Sequence, residues 1–202
     1  MRKSNKLFNR IKEFSDSNCD LPEMESRLWD EFGATRACLV LDSTGFTRIT
    51  RSKGIPFFLT LIIKMQDIAF DIINNNNGLN FRTEADNIYA EFLSADDALK
   101  ASFELHDALE KSDLWLNEQE KFKICIGIGY GKFLLAGDEG VFGDEMNIAS
   151  KLGEDTANGG ETLLSESAFN SLKQVDKTKY EKRNVSISNV AINFYACRPK
   201  TD

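Results

Sequence analysis

One α+β domain with an N-terminal helical extension is the fold class this sequence predicts, and three observations predict it. Apolar residues recur at helical spacing in some segments and in strand-like runs in others, and the two kinds alternate along the chain. No internal repeat, low-complexity tract or linker divides the chain. At 202 residues it is long enough for one well-buried core and short for two.

Taken in order, residues 5–15 place Leu7, Phe8, Ile11 and Phe14 on one helical face. Asp20-Leu21-Pro22-Glu23 reads as a capped helix start leading into Met24–Phe32, which Gly33 ends. These two helices form the extension, residues 1–35, and the domain proper spans 36–202. Ala37–Leu41 is the first strand, and Gly45 permits a tight turn before a helix near Phe46. A long helix follows Pro56, with Phe57, Phe58, Leu61, Ile62, Met65, Ile68, Ala69, Ile72 and Ile73 on its apolar face. Phe57, Phe58 and Phe70 are expected as core residues of that helix. Asn74–Gly78 is a turn, and strands are expected near 79–83 and 87–92. Ser94 caps a helix running to about Asp113. Phe122–Gly129 is a central strand, with a second strand over Tyr130–Ala136 after Gly131. Asp144–Gly153 is helical, Thr162–Leu164 is a short strand, and Ser165–Leu172 starts another helix. A hairpin of Asn184–Ile187 with Val190–Arg198 closes the chain.

Hydrophobic content of 42% and charged content of 28% describe an ordinary soluble globular protein. A net charge of -7 argues against a nucleic-acid partner, which normally demands a basic face. Cys19, Cys38, Cys125 and Cys197 are scattered without a C-x-x-C pair, which suits reduced thiols and not a zinc site. No apolar run reaches membrane-spanning length, so no membrane insertion and a cytoplasmic location are expected. His106 has no partner histidine and is expected to be structural or exposed.

Chemistry concentrates at two aspartates. Asp42 follows the apolar run Ala37-Cys38-Leu39-Val40-Leu41, and Asp86 precedes Ile88-Tyr89-Ala90-Glu91-Phe92. Each places a charge at the end of a hydrophobic strand, where an unpaired carboxylate is costly. Asp-x-x-Gly is also ordinary turn chemistry. If the two strands are sheet neighbours, the carboxylates converge, and Mg²⁺ or Mn²⁺ shared with substrate phosphates is their natural partner. Phosphoryl-transfer chemistry follows from that.

Four segments carry a family resemblance. Asp42-Ser43-Thr44-Gly45-Phe46-Thr47, Arg82-Thr83-Glu84-Ala85-Asp86, Ile126-Gly127-Ile128-Gly129-Tyr130-Gly131 and Gly143–Lys151 resemble, in order, elements of class III nucleotidyl cyclase catalytic domains. The corresponding family patterns are Asp-x-x-Gly-Phe-Thr, Lys-x-x-Gly-Asp, Gly-Ile-x-x-Gly and Gly-x-x-Val-Asn-x-Ala-x-Arg. The resemblance covers roughly residues 36–198. It implies a mostly antiparallel sheet flanked by helices around a ferredoxin-like βαββαβ core. It also implies two Mg²⁺ or Mn²⁺ ions on Asp42 and Asp86, and phosphates held by Ser43, Thr44, Gly45, Phe46 and Thr47. Asn147 would position the ribose, and Lys151 would stabilise transition-state charge. The implied assembly is a head-to-tail homodimer with its sites at the interface: Arg82, Asn147 and Lys151 would face the metal pair of the other protomer.

Four departures stand out. Lys151 replaces an arginine fork with a point charge. Arg82 stands where adenylyl cyclases carry lysine and guanylyl cyclases glutamate. Gly140 stands where an aspartate or threonine is usual, and Ser188-Asn189 where a lysine is common. Arg82 offers five donors and no acceptor, which suits the carbonyl oxygens of uracil or cytosine. The chain is similar to the bacterial pyrimidine cyclases of Pycsar anti-phage defence, whose cyclic UMP or cyclic CMP activates a separate effector. That similarity implies a UTP or CTP cyclase. The alternatives are an adenylyl cyclase with an atypical base pocket, and a degenerate cyclase-homology module that binds without turnover.

Overall fold

The computed structural model describes residues 5–17, 20–173, 175–187 and 190–197; Cys19 and Ser188-Asn189 lie outside the described residues. α1 (Lys6–Asp16) and α2 (Leu21–Phe32) start as the caps dictate. The Asn5 side chain accepts from the Phe8 N–H, and Asp20 accepts from the Glu23 N–H, so each satisfies an otherwise orphaned donor. β1 (Gly33–Ser43) follows α2 directly and begins four residues earlier than the apolar run suggested. α3 (Phe46–Lys53) and α4 (Ile55–Asn75) lead to the hairpin of β2 (Asn80–Glu84) and β3 (Asn87–Phe92). α5 (Ala95–Lys111) is capped by Ser94. A small hairpin of β4 (Trp115–Asn117) and β5 (Glu120–Lys121), not foreseen from the sequence, precedes β6 (Ile124–Leu135). β7 (Val141–Phe142), α6 (Asp144–Ser150), β8 (Thr162–Ser165), α7 (Glu166–Ser171), β9 (Glu181–Ile187) and β10 (Val190–Cys197) complete the chain.

The main sheet runs β2-β3-β1-β6-β8-β10-β9, with β7 paired to β6. Every pairing is antiparallel except β6 with β8. β1, α4, β2, β3, α5 and β6 thus form the expected βαββαβ core, with strands in the spatial order β2-β3-β1-β6. β1 is covered on both faces. Ala37, Leu39 and Leu41 bury in one cluster with α4 and α5, whereas Cys38 and Val40 bury in another with Ala149 of α6. Two-sided burial explains five consecutive apolar residues in an antiparallel strand.

β6 is one strand, not two broken at Gly131. It pairs with β1 from Gly33–Leu134 through Ser43–Ile124 without interruption. Its glycines serve packing. A Cβ on Gly127 would lie 2.0 Å from the Ala149 carbonyl oxygen, and one on Gly129 would lie 2.4 Å from that of Glu145. α6 therefore rests directly on strand backbone. It ends at Ser150, three residues earlier than expected, because a wider π-helical turn over Lys151–Thr156 brings Leu152 and Gly153 into the interior. Phe70 is half-exposed and meets Phe81 edge-on at 5.5 Å, so it is not a core residue, whereas Phe58 is fully buried.

The N-terminal helices seat on the far end of β6. Leu7, Phe14 and Leu28 bury with Ala136. Asn5 Nδ2 donates to the Ala136 carbonyl at 2.7 Å, and Phe8 packs edge-on against Phe142 at 5.6 Å. His106 of α5 is buried and structural. The Ser102 hydroxyl donates to the Leu99 carbonyl, and Thr162 Oγ1 lies within hydrogen-bond distance of both Ser102 Oγ and His106 Nε2, at 3.2 and 3.0 Å. Among the described residues no helix is long and apolar enough to cross a membrane.

Candidate active site

β1, a central strand, carries Asp42 near its C-terminal end, opposite Cys125 of β6. Asp86 arrives from the two-residue turn joining β2 to β3, which is the neighbouring hairpin. Ser43, buried between them, ties the two carboxylates together. Its N–H donates to Asp42 Oδ1 at 2.8 Å and its hydroxyl donates to Asp86 Oδ2 at 2.7 Å. Burial pushes the Asp42 carboxyl up to about 6, the Asp86 charge adds to the shift, and the Ser43 N–H opposes it. Glu154 and Asp155 of the π-helical turn raise it further.

This carboxylate pair fits a hard divalent cation. Two oxygen-bearing side chains pressed together against burial form a site short of positive charge. Among the described residues no cluster of three or more His, Cys, Asp or Glu side chains makes a protein-only metal cage.

Beside the pair, the Asp42–Thr47 segment turns into α3. Gly45 adopts φ 88°, and no side chain caps the helix. The Ser43 N–H is held by Asp42 and the Thr44 N–H by the Lys123 carbonyl at 3.0 Å. Gly45, Phe46 and Thr47 supply the remaining N–H groups of the segment at the start of α3.

Arg82 and Gly140, 58 positions apart, meet directly. A Cβ on Gly140 would lie 3.4 to 3.5 Å from three guanidinium atoms of Arg82, so a face of the guanidinium group is turned towards the glycine. Gly140 has φ 90° and ψ -143°, a conformation that side chains resist. The Tyr89 ring lies against the same guanidinium at 4.5 Å. A cavity of about 20 Å³ between Arg82, Tyr89, Gly140 and Met146 has room for roughly one water and none for a nucleobase.

Solved structures of low sequence identity share this architecture. The catalytic core of a rhodopsin-guanylyl cyclase with converted specificity, in complex with ATPαS, superposes with a TM-score of 0.67 at 16% identity, covering 83% of this chain and 99% of that one. An adenylate/guanylate cyclase/hydrolase from Silicibacter pomeroyi gives 0.66 at 21% identity, covering 84% and 99%. The guanylate cyclase domain from Catenaria anguillulae in complex with GTP gives 0.65 at 17% identity, covering 82% and 97%. The chain has the class III cyclase fold. In sequence, it is 22% identical over 116 residues to a Rhizobium meliloti (strain 1021) protein named "Putative adenylate cyclase 3", a match that spans 57% of this chain and only 20% of that protein. No protein-family model matches.

Within this class III fold the predicted residues separate into three groups. Asp42, Asp86 and Ser43 converge, and Arg82 and Gly140 converge. Asn147 and Lys151 stand exposed one helical turn apart, and the Lys151 ammonium is engaged by Asp155 at 2.6 Å. Ala85 takes φ 54°, the left-handed region that the family's glycine at this turn adopts freely. Three residues were not foreseen as parts of the site: Tyr89, Asn87 and Glu154. The Tyr89 hydroxyl lies 3.4 Å from Glu154 Oε1 and from Asn87 Nδ2. Burial lifts both the Tyr89 hydroxyl and the Glu154 carboxyl above their ordinary values. The only signal for Tyr89 in the sequence was its position: three residues beyond Asp86, as Arg82 is three before Ala85.

Proposed function

We propose that this chain is a nucleotidyl cyclase that converts a nucleoside triphosphate into a 3′,5′-cyclic monophosphate and pyrophosphate. The observation that carries this reading is the convergence of Asp42 and Asp86 through Ser43 beside the uncapped start of α3. In the reaction the ribose 3′-oxygen loses its proton and bonds to the α-phosphorus while the bond to the bridging oxygen of pyrophosphate breaks. Asp42 and Asp86 would hold two Mg²⁺ or Mn²⁺ ions, which when bound acidify the 3′-hydroxyl and neutralise the triphosphate. Gly45, Phe46 and Thr47 would orient the phosphate chain through backbone N–H groups. Asn147 would fix the ribose, and Lys151, released from Asp155, would face the charge that develops at phosphorus. Asn147 stands outward on α6 and Lys151 on the π-helical turn that follows it, which supports a head-to-tail homodimer in which they and Arg82 serve the partner's metal pair.

For the base, the reading is a pyrimidine, UTP before CTP. Arg82 offers donors only, and its guanidinium is held by Tyr89 and Gly140 with part of the side chain exposed to a ligand. The cyclic product would then act on a separate effector in anti-phage defence, a role supported by the sequence similarity to the Pycsar cyclases alone. The Lys151–Asp155 ion pair favours a second reading, a module that binds nucleotide without turnover. Incubation with each of ATP, GTP, CTP and UTP and Mn²⁺, followed by mass spectrometry, separates these readings. Cyclic UMP or CMP is the expected product. Cyclic AMP or GMP would overturn the base assignment, and nucleotide binding without any cyclic product would leave the module.

A further inference from the structure

We propose that Tyr89 is a positioning residue with two separable roles: its ring sets the guanidinium of Arg82, and its hydroxyl sets the polar groups beside the Asp42–Asp86 pair. The inference rests on the nucleotide-site reading above. The β2–β3 register places Tyr89 directly across from Arg82, and the guanidinium carbon lies 4.5 Å from its ring centroid. Gly140 meets a face of the same group. Arg82 thus projects as an oriented plane and not as a freely rotating arm.

The other end of the ring points towards the metal side. The Tyr89 hydroxyl is 3.4 Å from Glu154 Oε1 and from Asn87 Nδ2, and Asn87 directly follows Asp86. Both contacts are long for hydrogen bonds, so this hydroxyl is held near its neighbours without being locked to them. A second observation singles out the same spot. Among the described residues, only two buried side-chain polar atoms lack a hydrogen-bond partner: Arg82 Nε and Asn87 Oδ1. Both belong to residues that touch Tyr89. Buried orphans of this kind are rare in folded proteins and call for a ligand, an ion or a water. That they gather around one tyrosine, between the carboxylate pair and the Arg82–Gly140 contact, marks it as the joint between the two halves.

A purely space-filling tyrosine would have neither property, and the test exploits this. Equilibrium binding of the four nucleoside triphosphates is measured with Ca²⁺ as the cation, alongside pyrophosphate release with Mn²⁺. Tyr89→Leu is expected to reduce the affinity ratio between the best- and worst-bound triphosphate by roughly three- to thirty-fold, the range of a cation–π contact. Tyr89→Phe keeps the ring and is expected to hold that ratio within about twofold. It should instead raise the Mn²⁺ concentration needed for half-maximal nucleotide binding. In an Arg82→Ala background, Tyr89→Leu should have no further effect on the ratio, which a merely structural role would not reproduce. An unchanged ratio in Tyr89→Leu, or an equal loss in both backgrounds, overturns the ring's role. If Tyr89→Leu does not fold, the Tyr89→Phe result still decides: a changed ratio with unchanged Mn²⁺ dependence overturns the proposal. Wild-type protein that binds none of the four triphosphates overturns the nucleotide reading itself, whereas wild-type binding with unaltered variants overturns the Tyr89 inference alone.

Discussion

Replacing Asp42 by asparagine should make the protein more stable while abolishing turnover. The folded state holds this carboxyl at about 6, raised from 3.8 by burial and by Asp86. A folded pKa above the unfolded one means that the folded state binds the proton more readily, so the ionised form at pH 7 destabilises the fold. The full shift corresponds to roughly 3 kcal/mol. Asp42 is only half-buried, and solvent screening reduces this to about 1–2 kcal/mol. Asparagine keeps an oxygen to accept the Ser43 N–H and removes the charge, so the gain should appear nearly whole. Urea denaturation at pH 7 without divalent cations measures it. The difference between variant and wild type should shrink as pH falls through 6 and vanish below 3.8. Adding Mn²⁺ with a nucleoside triphosphate should reverse the ranking, because only the wild type retains the pair proposed to bind them. An asparagine variant that is less stable than wild type, or one that still releases pyrophosphate, would refute the reasoning.

Three further outcomes are expected. Gly127→Ala places a methyl 2.0 Å from the Ala149 carbonyl oxygen and 2.6 Å from the Gly153 nitrogen; because both are backbone atoms, the loss should reach or exceed about 3 kcal/mol in denaturant titration. Burial lowers His106 to about 4, so its contribution is present above 6.5 and is lost as pH falls towards 4. The loss is at most roughly 3 kcal/mol, and it is best read in the Asp42→Asn background, where the opposing carboxylate no longer titrates. Arg82→Lys should change the order of triphosphate preference more than the Mn²⁺ requirement, because lysine neither stacks on Tyr89 as a plane nor donates as a fork; product analysis with all four triphosphates checks it.

The carboxylate pair was legible in the sequence for a physical reason, whereas the sheet topology came from the family resemblance alone. A charge beside an apolar run names both a buried strand and the end where it emerges: Asp42 follows Ala37–Leu41, and Asp86 precedes Ile88–Phe92. Caps at Asp20 and Ser94 marked helix starts because local hydrogen bonds decide them. What escaped was decided by partners far along the chain. Gly131 looked like a strand break, yet it makes room for Glu145, whose Cγ would lie 2.8 Å from an added Cβ. Arg82 and Gly140 were each singled out, but no local pattern brings them into contact. Tyr89 was missed because its partnership depends on hairpin register, and the turn that sets this register uses Ala85 in a left-handed conformation that alanine seldom announces. Lys151 was read as free to act, whereas an acidic residue four positions later holds it.

The seating of α1 turns the start of the chain into a lever. Asn5 is bonded to the Ala136 carbonyl, and the Ala136 N–H is in turn bonded to the Gly140 carbonyl at 2.9 Å, while Phe8 leans on Phe142 two residues further on. Both ends of the loop that presents Gly140 are therefore gripped by one short helix. A tug on α1, or a protein that clasped it, would be transmitted through a few rigid contacts to the glycine that backs Arg82. Tags attached ahead of Asn5 are consequently not neutral handles, and nucleotide preferences measured on tagged and untagged protein should be compared before either is taken as a property of the protein itself.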